Sequence, residues 1–188
     1  LRYQVMCDWY EVGREGCIPQ LAYMISPSHK IKESKRDIPA GVLEHEQVDM
    51  DLPANSFIAS VPDKGNMGLM LSTDSRYGYR CYDGELSVDL LRNPTFPDSC
   101  PEYGMHKLEL AVLPVDVSNN DELVKTSFNL WHPISVISAM PHKGTLPMTG
   151  KLFETESVVL QAVKQAEDGS GDLIVRVCEN NGVKHTAK

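Results

Sequence analysis

Arginines and tyrosines lie close together in residues 74–98 of the chain. Aromatic rings pack against the C–H face of a pyranose, and a guanidinium fork donates hydrogen bonds to neighbouring sugar hydroxyls. These residue types are therefore able to form a carbohydrate-binding surface. The alternative is structural, since the same side chains also clamp the edge of a sheet, which is the commoner role for any one of them. The residues are Asp74, Arg76, Tyr77, Tyr79, Tyr82 and Arg92.

Arg92 stands at the end of a predicted strand and just before two prolines. The pair Asp83-Gly84 suits a hairpin turn, and aromatic and branched residues flank it on both sides, so this stretch predicts a β-hairpin. The second strand ends at Arg92, because Pro94 and Pro97 follow and proline offers no N–H to a sheet. The sequence thus predicts a strand that carries an arginine to its tip.

The histidines form no compact metal-binding pattern. None is paired with another at the i,i+2 or i,i+4 spacing, with a supporting carboxylate, that such sites use. The six histidines are His29, His45, His106, His132, His142 and His185. We therefore predict no metal site within this chain. Its glycines also lack a phosphate-binding fingerprint and are interpreted as turn residues.

Two further kinds of catalytic group have a simpler interpretation. A glycosidase needs two carboxylates that face each other across a bond, and Glu44, Glu46, Asp49 and Asp51 form an acidic run. In a proline-rich connector such a run is typical of a solvated surface, and we predict that. A cysteine nucleophile with a histidine base stays open, because such pairs meet only in the folded chain. Cys81, within a predicted strand, is predicted to be a small packed side chain.

The elements that position these residues are mostly strands. Short, partly alternating segments are separated by Gly, Pro, Asn or Asp, as in antiparallel sheets. The predicted strands cover residues 3–12, 19–26, 55–61, 67–73, 84–91 and 106–115. Residues 121–131 have a modest helical face and are interpreted as an irregular connector. Residues 157–180 suit a helix too, but their EDGSGD turn favours a hairpin.

The composition excludes some partners. The 188 residues carry a net charge of -8, which disfavours binding to nucleic acid or to an anionic membrane. The apolar stretches are too short to span a bilayer. The five cysteines, Cys7, Cys17, Cys81, Cys100 and Cys178, include no CxxC pair, so we expect free thiols and a cytoplasmic location. Because the chain starts at Leu1 and stops at a polar tail, we expect it to be a piece of a longer protein.

Five ordered blocks resemble the C-terminal region of glycoside hydrolase family 38 α-mannosidases. They are DWYE (8–11), DIPAGVLE (37–44), SRYGY to LLRNPTFPD (75–98), HKLELAVLP (106–114) and VVLQAVKQAEDGSGDLIVRVCE (158–179). They follow the family's order at about its spacing and cover nearly the whole chain. LLRNPTFPD is similar to the form in the bacterial and cytosolic branch, which agrees with the interpretation of the cysteines.

The resemblance implies an all-β fold. Residues 1–117 would be the late part of a large antiparallel β-sandwich, of the galactose-mutarotase-like supersandwich type. Residues 118–188 would be a connector and the start of a small, Ig-like terminal β-sandwich. The boundary is expected near residues 115–123, where an apolar strand gives way to polar residues, as a solvated connector.

The resemblance also implies what this chain does and does not do. In the family, an aspartate nucleophile and a zinc ion lie in an N-terminal barrel, and the family's His-x-Asp ligand pair has no counterpart in this sequence. We therefore expect no cofactor in this fragment, zinc in the parent enzyme's catalytic domain, and no activity of the fragment alone. The expected partners are the parent's own barrel and a mannose-containing oligosaccharide, with a homo-oligomer also open.

The site residues follow from the same resemblance. The family's large sandwich lends an arginine to the rim of the sugar site, and the match falls on Arg92. The substrate-binding residues expected with it are Arg76, Tyr77 and Asp74. Two positions depart from the family, Asn93 and Ala40. The competing hypotheses are a free-standing carbohydrate-binding sandwich and a structural scaffold between domains.

Overall fold

A computed structural model describes residues 1–98, 101–184 and 186, so Cys100 and His185 lie outside the described residues. The strands in this part are β1 (Arg2–Trp9), β2 (Gln20–Ile25), β3 (Ile31–Ile38), β4 (Gly41–Glu46), β5 (Val48–Pro53), β6 (Phe57–Pro62), β7 (Met67–Thr73), β8 (Gly78–Tyr82), β9 (Glu85–Arg92), β10 (Gly104–Asp116), β11 (Val159–Gln165) and β12 (Leu173–Cys178). One helix, α1 (Asn120–Trp131), follows β10 in this part of the chain.

Two antiparallel sheets pack face to face and form a sandwich. The six-stranded sheet has the order β1-β10-β7-β6-β3-β4, and the four-stranded sheet has the order β2-β9-β8-β5. Alternation along the strands sends apolar side chains inward from both sheets, and the core between them includes Leu71, Leu110, Tyr79 and Val88, all without exposed surface. The prediction of an all-β sandwich is confirmed.

The hairpin that ends at Arg92 is also confirmed. Strands β8 and β9 pair antiparallel, with Tyr82 opposite Glu85. The turn between them has positive φ at both central residues, 49° at Asp83 and 78° at Gly84. Such a turn matches the twist of the strands and favours these two residue types. On its other side β9 pairs with β2, where Gln20 lies opposite Arg92.

The interpretation of residues 121–131 as an irregular connector is wrong, because α1 occupies them. The Asn119 side chain caps this helix and accepts hydrogen bonds from the backbone N–H groups of Asp121 and Glu122. Leu123 of α1 is 1% exposed and packs, with Val117, on the outer face of the six-stranded sheet. The burial of this apolar stripe stabilises a helix whose isolated propensity is modest.

The acidic run is also corrected, because it does not lie in a connector. Glu44 and Glu46 belong to β4, and Asp49 and Asp51 belong to β5. These two strands are the edges of their sheets. Charged side chains are common on edge strands, where they prevent pairing with other chains. The two aspartates are paired with Arg80 of the neighbouring strand β8.

Residues 115–123 are not a solvated connector, because Val115, Val117 and Leu123 are buried. The exposed connection is residues 132–152, which follow α1 and contain neither helix nor strand. The predicted hairpin of residues 157–180 is confirmed as β11 and β12. Asn180 and Asn181, after β12, donate to the two carboxylate oxygens of Asp121 at 3.1 and 3.0 Å. These bonds attach the C-terminal hairpin to the start of α1.

Candidate functional site

The predicted site residues lie at one end of the sandwich. Strands β1, β7 and β9 end there, while β2, β8 and β10 begin there, as the pairs Trp9 with Gly104 and Gln20 with Arg92 show. The loops at this end carry Asp74, Arg76 and Tyr77. We call this end of the sandwich the rim.

Three of the four expected substrate-binding residues line one cavity of about 270 Å³ at the rim. Arg76 and Tyr77 enter it from the loop before β8, and Arg92 enters it from the end of β9. Asp89 and Glu102 contribute carboxylates to its wall. We call it the arginine cavity, because two guanidinium groups reach it from different segments.

Arg92 is exposed at the strand end. Among the residues that the structure describes, its guanidinium has no hydrogen-bond or salt-bridge partner. Arginine carries its charge at any physiological pH and presents five donors in a planar fork. The arrangement leaves all five donors able to contact a bound oxygen-rich ligand.

Arg76 has a different environment in the same cavity. Its side chain is 22% exposed, and its Nη1 lies 3.5 Å from Glu102 Oε1. Glu102 is held in turn by His106, whose Nε2 lies 2.7 Å from the Glu102 backbone oxygen. Thr73 Oγ1 fixes the loop at Arg76 by donating to its carbonyl at 2.9 Å. Arg76 therefore links two loops of the rim, in addition to lining the cavity.

Asn93 supports the loop after Arg92, a role that was not predicted for it. It has no exposed surface. Its Nδ2 donates to the Glu11 carbonyl at 2.5 Å, and its Oδ1 accepts from the Glu102 N–H at 3.0 Å. Gly13 packs on its backbone, where a Cβ would come within 2.5 Å of the Asn93 oxygen. A departure from the family pattern directly after Arg92 was the only sequence signal for this residue.

Asp74 lies in a neighbouring cavity, of about 290 Å³, between the rim and the C-terminal end of α1. We call it the helix cavity. Its lining includes Asp37, Ser56, Tyr77, Ser127, Phe128, Trp131 and His132. Tyr77, 61% exposed, lines both cavities and separates them. The contribution of α1 was not predicted, because residues 121–131 were interpreted as an irregular connector.

Two tyrosines of the original group lie away from both cavities. Tyr79 is in the core, where its hydroxyl is 2.8 Å from Thr73 Oγ1, and burial raises its pKa far above the ordinary value. Tyr82 is half-exposed beside the turn at the other end of β8. Cys81 is buried as predicted, and burial raises the pKa of its thiol to about 11. A neutral, enclosed thiol of this kind is no nucleophile at neutral pH.

A row of charged side chains crosses the outer face of the four-stranded sheet. Arg80 Nη1 contacts Asp49 Oδ1 at 2.6 Å, and Arg80 Nη2 contacts Asp51 Oδ1 at 2.8 Å. Gln20 donates to both Asp51 and Asp89. Burial acts to raise the pKa of Asp51, but the hydrogen bonds and charge of Arg80 outweigh it and lower the pKa. Burial and the nearby Asp51 raise the pKa of Asp89.

Within residues 1–98, 101–184 and 186, no three His, Cys, Asp or Glu side chains are grouped closely enough to hold a metal ion. In the same part of the chain, no helix is long and apolar enough to cross a bilayer.

The chain is similar in sequence to segments of curated α-mannosidases. It is 30% identical over 125 residues to alpha-mannosidase G of Dictyostelium discoideum, a match that covers 62% of this chain and 11% of that protein. It is 30% identical over 118 residues to alpha-mannosidase 2C1 of Homo sapiens, with 61% of this chain and 11% of that protein covered. The chain thus spans only a small part of the length of these relatives. No family model matches it.

The fold is similar to parts of two solved structures. One is an alpha-mannosidase from Enterococcus faecalis V583, with a TM-score of 0.72 and 14% identity over 86% of this chain and 20% of that one. The other is a protein in glycosyl hydrolase family 38 from Enterococcus faecalis, with a TM-score of 0.67, 15% identity and the same coverage. The predicted resemblance to family 38 α-mannosidases is confirmed.

Proposed function

We propose that this chain, which resembles a segment of family 38 α-mannosidases in sequence and in fold, is the accessory β-region of a retaining α-mannosidase. It completes the wall of an active site whose nucleophile and zinc lie in the parent enzyme's barrel. The observation that carries this proposal is Arg92, which stands at a strand tip in the arginine cavity with no partner among the described residues. The proposed substrate is a terminal α-mannoside of an oligosaccharide, hydrolysed in the cytoplasm.

The contribution of the chain to such a reaction is to bind and orient the sugar. A charged fork donates to two neighbouring hydroxyl oxygens at once, which fixes both the position and the tilt of a pyranose ring. Arg76 is held back by Glu102, so it positions the rim and leaves Arg92 as the main donor. Tyr77 offers an exposed aromatic face beside them.

The exposed connection after α1 supports the parent's barrel as the partner. Several of its apolar side chains are almost wholly exposed, among them Ile134 at 92%, Ile137 at 89% and Leu146 at 91%. Large apolar side chains that are exposed at several positions of one segment suit a region that packs against another protein part. A homo-oligomer would bury them in the same way, and size-exclusion chromatography of the full-length protein distinguishes the two.

The second candidate function is a free-standing carbohydrate-binding sandwich. The exposed aromatic side chains Tyr77 and Phe128 favour it, because such rings bind sugars without any catalytic group.

Activity and metal content of two forms of the protein test the proposal. The full-length protein should hydrolyse an aryl α-mannoside and retain zinc after dialysis, whereas the 188-residue chain should do neither. Turnover by the 188-residue chain that persists after repurification, or one zinc per chain by elemental analysis, contradicts the proposal. A full-length protein without turnover, combined with a sugar-binding 188-residue chain, supports the carbohydrate-binding alternative.

A further inference from the structure

The helix cavity has a floor that is fixed by hydrogen bonds. Asp37, which is 7% exposed, accepts from the Ser56 and Phe57 N–H groups at 2.9 and 3.0 Å and from the Ser56 hydroxyl at 2.6 Å. Ser127 Oγ of α1 lies 2.7 Å from Ser56 Oγ and 3.0 Å from Ser72 Oγ. Ser56 donates to Asp37 and Ser72 donates to the Ser56 carbonyl, so the single hydroxyl proton of Ser127 donates to one of these two oxygens at a time. This network holds α1 on the sheet.

The wall that α1 contributes is also held in place. Trp131 Nε1 donates to Ser72 Oγ at 2.7 Å, and the Arg2 guanidinium lies over the Trp131 ring at 5.0 Å. One turn earlier, Phe128 is 52% exposed and stacks on His132 with the ring centroids 3.9 Å apart. The His132 ring covers one face of Phe128 and holds the ring in place. The other face therefore loses little conformational entropy when a ligand covers it.

Polar acceptors stand at the edge of this aromatic wall. Asp74 is exposed, and only its Oδ1 is engaged, by the Ser75 hydroxyl at 2.9 Å. His132 Nδ1 lies 2.9 Å from the Phe128 carbonyl, to which it must donate. The cavity thus joins an aromatic face to acceptors that suit hydroxyl groups.

We infer that the helix cavity binds one hexopyranose residue, with its C–H face on the exposed face of Phe128 and its hydroxyls donating to the Asp74 carboxylate. The volume of about 290 Å³ lies at the small end for ligand sites, which suits one ring and not a longer oligosaccharide. The choice of a sugar rests on the proposed function. The helix cavity and the arginine cavity are neighbours that share Tyr77. The sugar in the helix cavity is therefore a different residue of the oligosaccharide from the one at Arg92.

Direct binding to the 188-residue chain tests the inference. Methyl α-D-mannopyranoside is titrated into the chain, and amide chemical shifts are followed by NMR, with a thermal melt of each variant to verify folding. The expected dissociation constant is about millimolar, because one ring contact and a few exposed hydrogen bonds supply little free energy. Phe128→Ala and Asp74→Asn should each weaken binding by about 3- to 10-fold. The control Tyr82→Ala removes an equally exposed aromatic ring from the other end of the sandwich and should change nothing.

The outcomes separate this inference from the proposed function. Absence of saturable binding, or weakening by Arg92→Ala with no effect of Phe128→Ala, overturns the inference and leaves the proposed function intact. Phe128-dependent binding, together with a full-length protein that hydrolyses no α-mannoside, supports the sugar site and refutes the enzymatic role.

Discussion

Asn93 determines how the loop beyond Arg92 is held. It is fully buried, and its amide joins three segments, because it donates to Glu11, accepts from Glu102 and directly follows β9 in the chain. A buried amide with both groups satisfied fixes a loop more firmly than apolar packing does, since any displacement leaves buried polar groups without partners. The position of the Arg92 side chain therefore depends on the neighbouring residue Asn93.

Replacement of Asn93 tests this dependence. Asn93→Ala leaves the Glu11 carbonyl and the Glu102 N–H without their partners, so we expect a loss of about 2 to 4 kcal/mol in the free energy of unfolding. The measurement is chemical denaturation of the 188-residue chain. The control Asn55→Ala makes the same change at an exposed position and should cost less than about 0.5 kcal/mol. Equal costs for the two variants would contradict the role given to Asn93.

At the scale of elements, the row formed by Asp51, Arg80 and Asp89 binds the four-stranded sheet together across its outer face. Arg80 of β8 pairs with Asp49 and Asp51 of the neighbouring strand β5, and Gln20 of β2 donates to Asp51 and to Asp89 of β9. Asp89 is the member left with excess negative charge around it. Its raised pKa follows from burial first and from the charge of Asp51, with the Gln20 hydrogen bond acting in the opposite direction.

Asp89→Asn should stabilise the chain at neutral pH. The raised pKa means that the folded chain binds its proton up to a higher pH than the unfolded chain, whose aspartate titrates near about 3.9. This contribution to stability is complete below the unfolded pKa and is lost as the pH rises through the folded pKa. The asparagine side chain keeps an oxygen that accepts from Gln20 but has no charge. The free energy of unfolding of the variant therefore does not fall in this way as the pH rises.

The gain should be below about 1 kcal/mol, because the pair is partly exposed and water screens it. It should be present at pH 7 and vanish near pH 3 in urea denaturation curves. Asp63→Asn, which makes the same change at an exposed position, is the control. Destabilisation by Asp89→Asn at pH 7 would show instead that the Asp89 charge stabilises its contacts with Gln20 and Arg80.

The elements that the sequence predicted well are those whose apolar residues alternate, such as β7, β9 and β10. It missed β3, where Arg36 and Asp37 are buried because they find partners at Pro53 and Ser56. Pairing of this kind depends on distant residues and leaves no local pattern. The helix α1 did leave one, since Asn119 before two acidic residues is a typical N-terminal signal.

The candidate site also has some features that local sequence patterns predict and others that depend on distant residues. The tip position of Arg92 followed from the hairpin and the prolines, both of which are local features. The separation of Asp74 from Arg92 did not, because it results from the packing of α1 beside Tyr77. Two cavities that share one tyrosine arise only when distant segments meet.

At the scale of the whole molecule, the exposed connection divides the chain into an ordered sandwich and a C-terminal hairpin. Residues 132–152 are exposed and lack helix and strand, so a nonspecific protease should cut there first. Limited proteolysis of the 188-residue chain with mass spectrometry checks this. A first cut within residues 115–123, which lie between buried Val115 and Leu123, would contradict the packing described for α1.

The role that we propose for Arg92 is to reach the sugar site of a larger enzyme. Its most direct test is kcat/KM of the full-length protein on an α-mannoside, with the thermal midpoint measured in parallel. Arg92→Ala should lower kcat/KM by about 10- to 150-fold, equivalent to about 1.5 to 3 kcal/mol of lost charge-assisted hydrogen bonds, and should leave the midpoint nearly unchanged. Arg76→Ala, which frees Glu102, should lower the midpoint more and kcat/KM less. Unchanged kcat/KM in the Arg92→Ala variant would contradict the proposal that Arg92 binds the substrate.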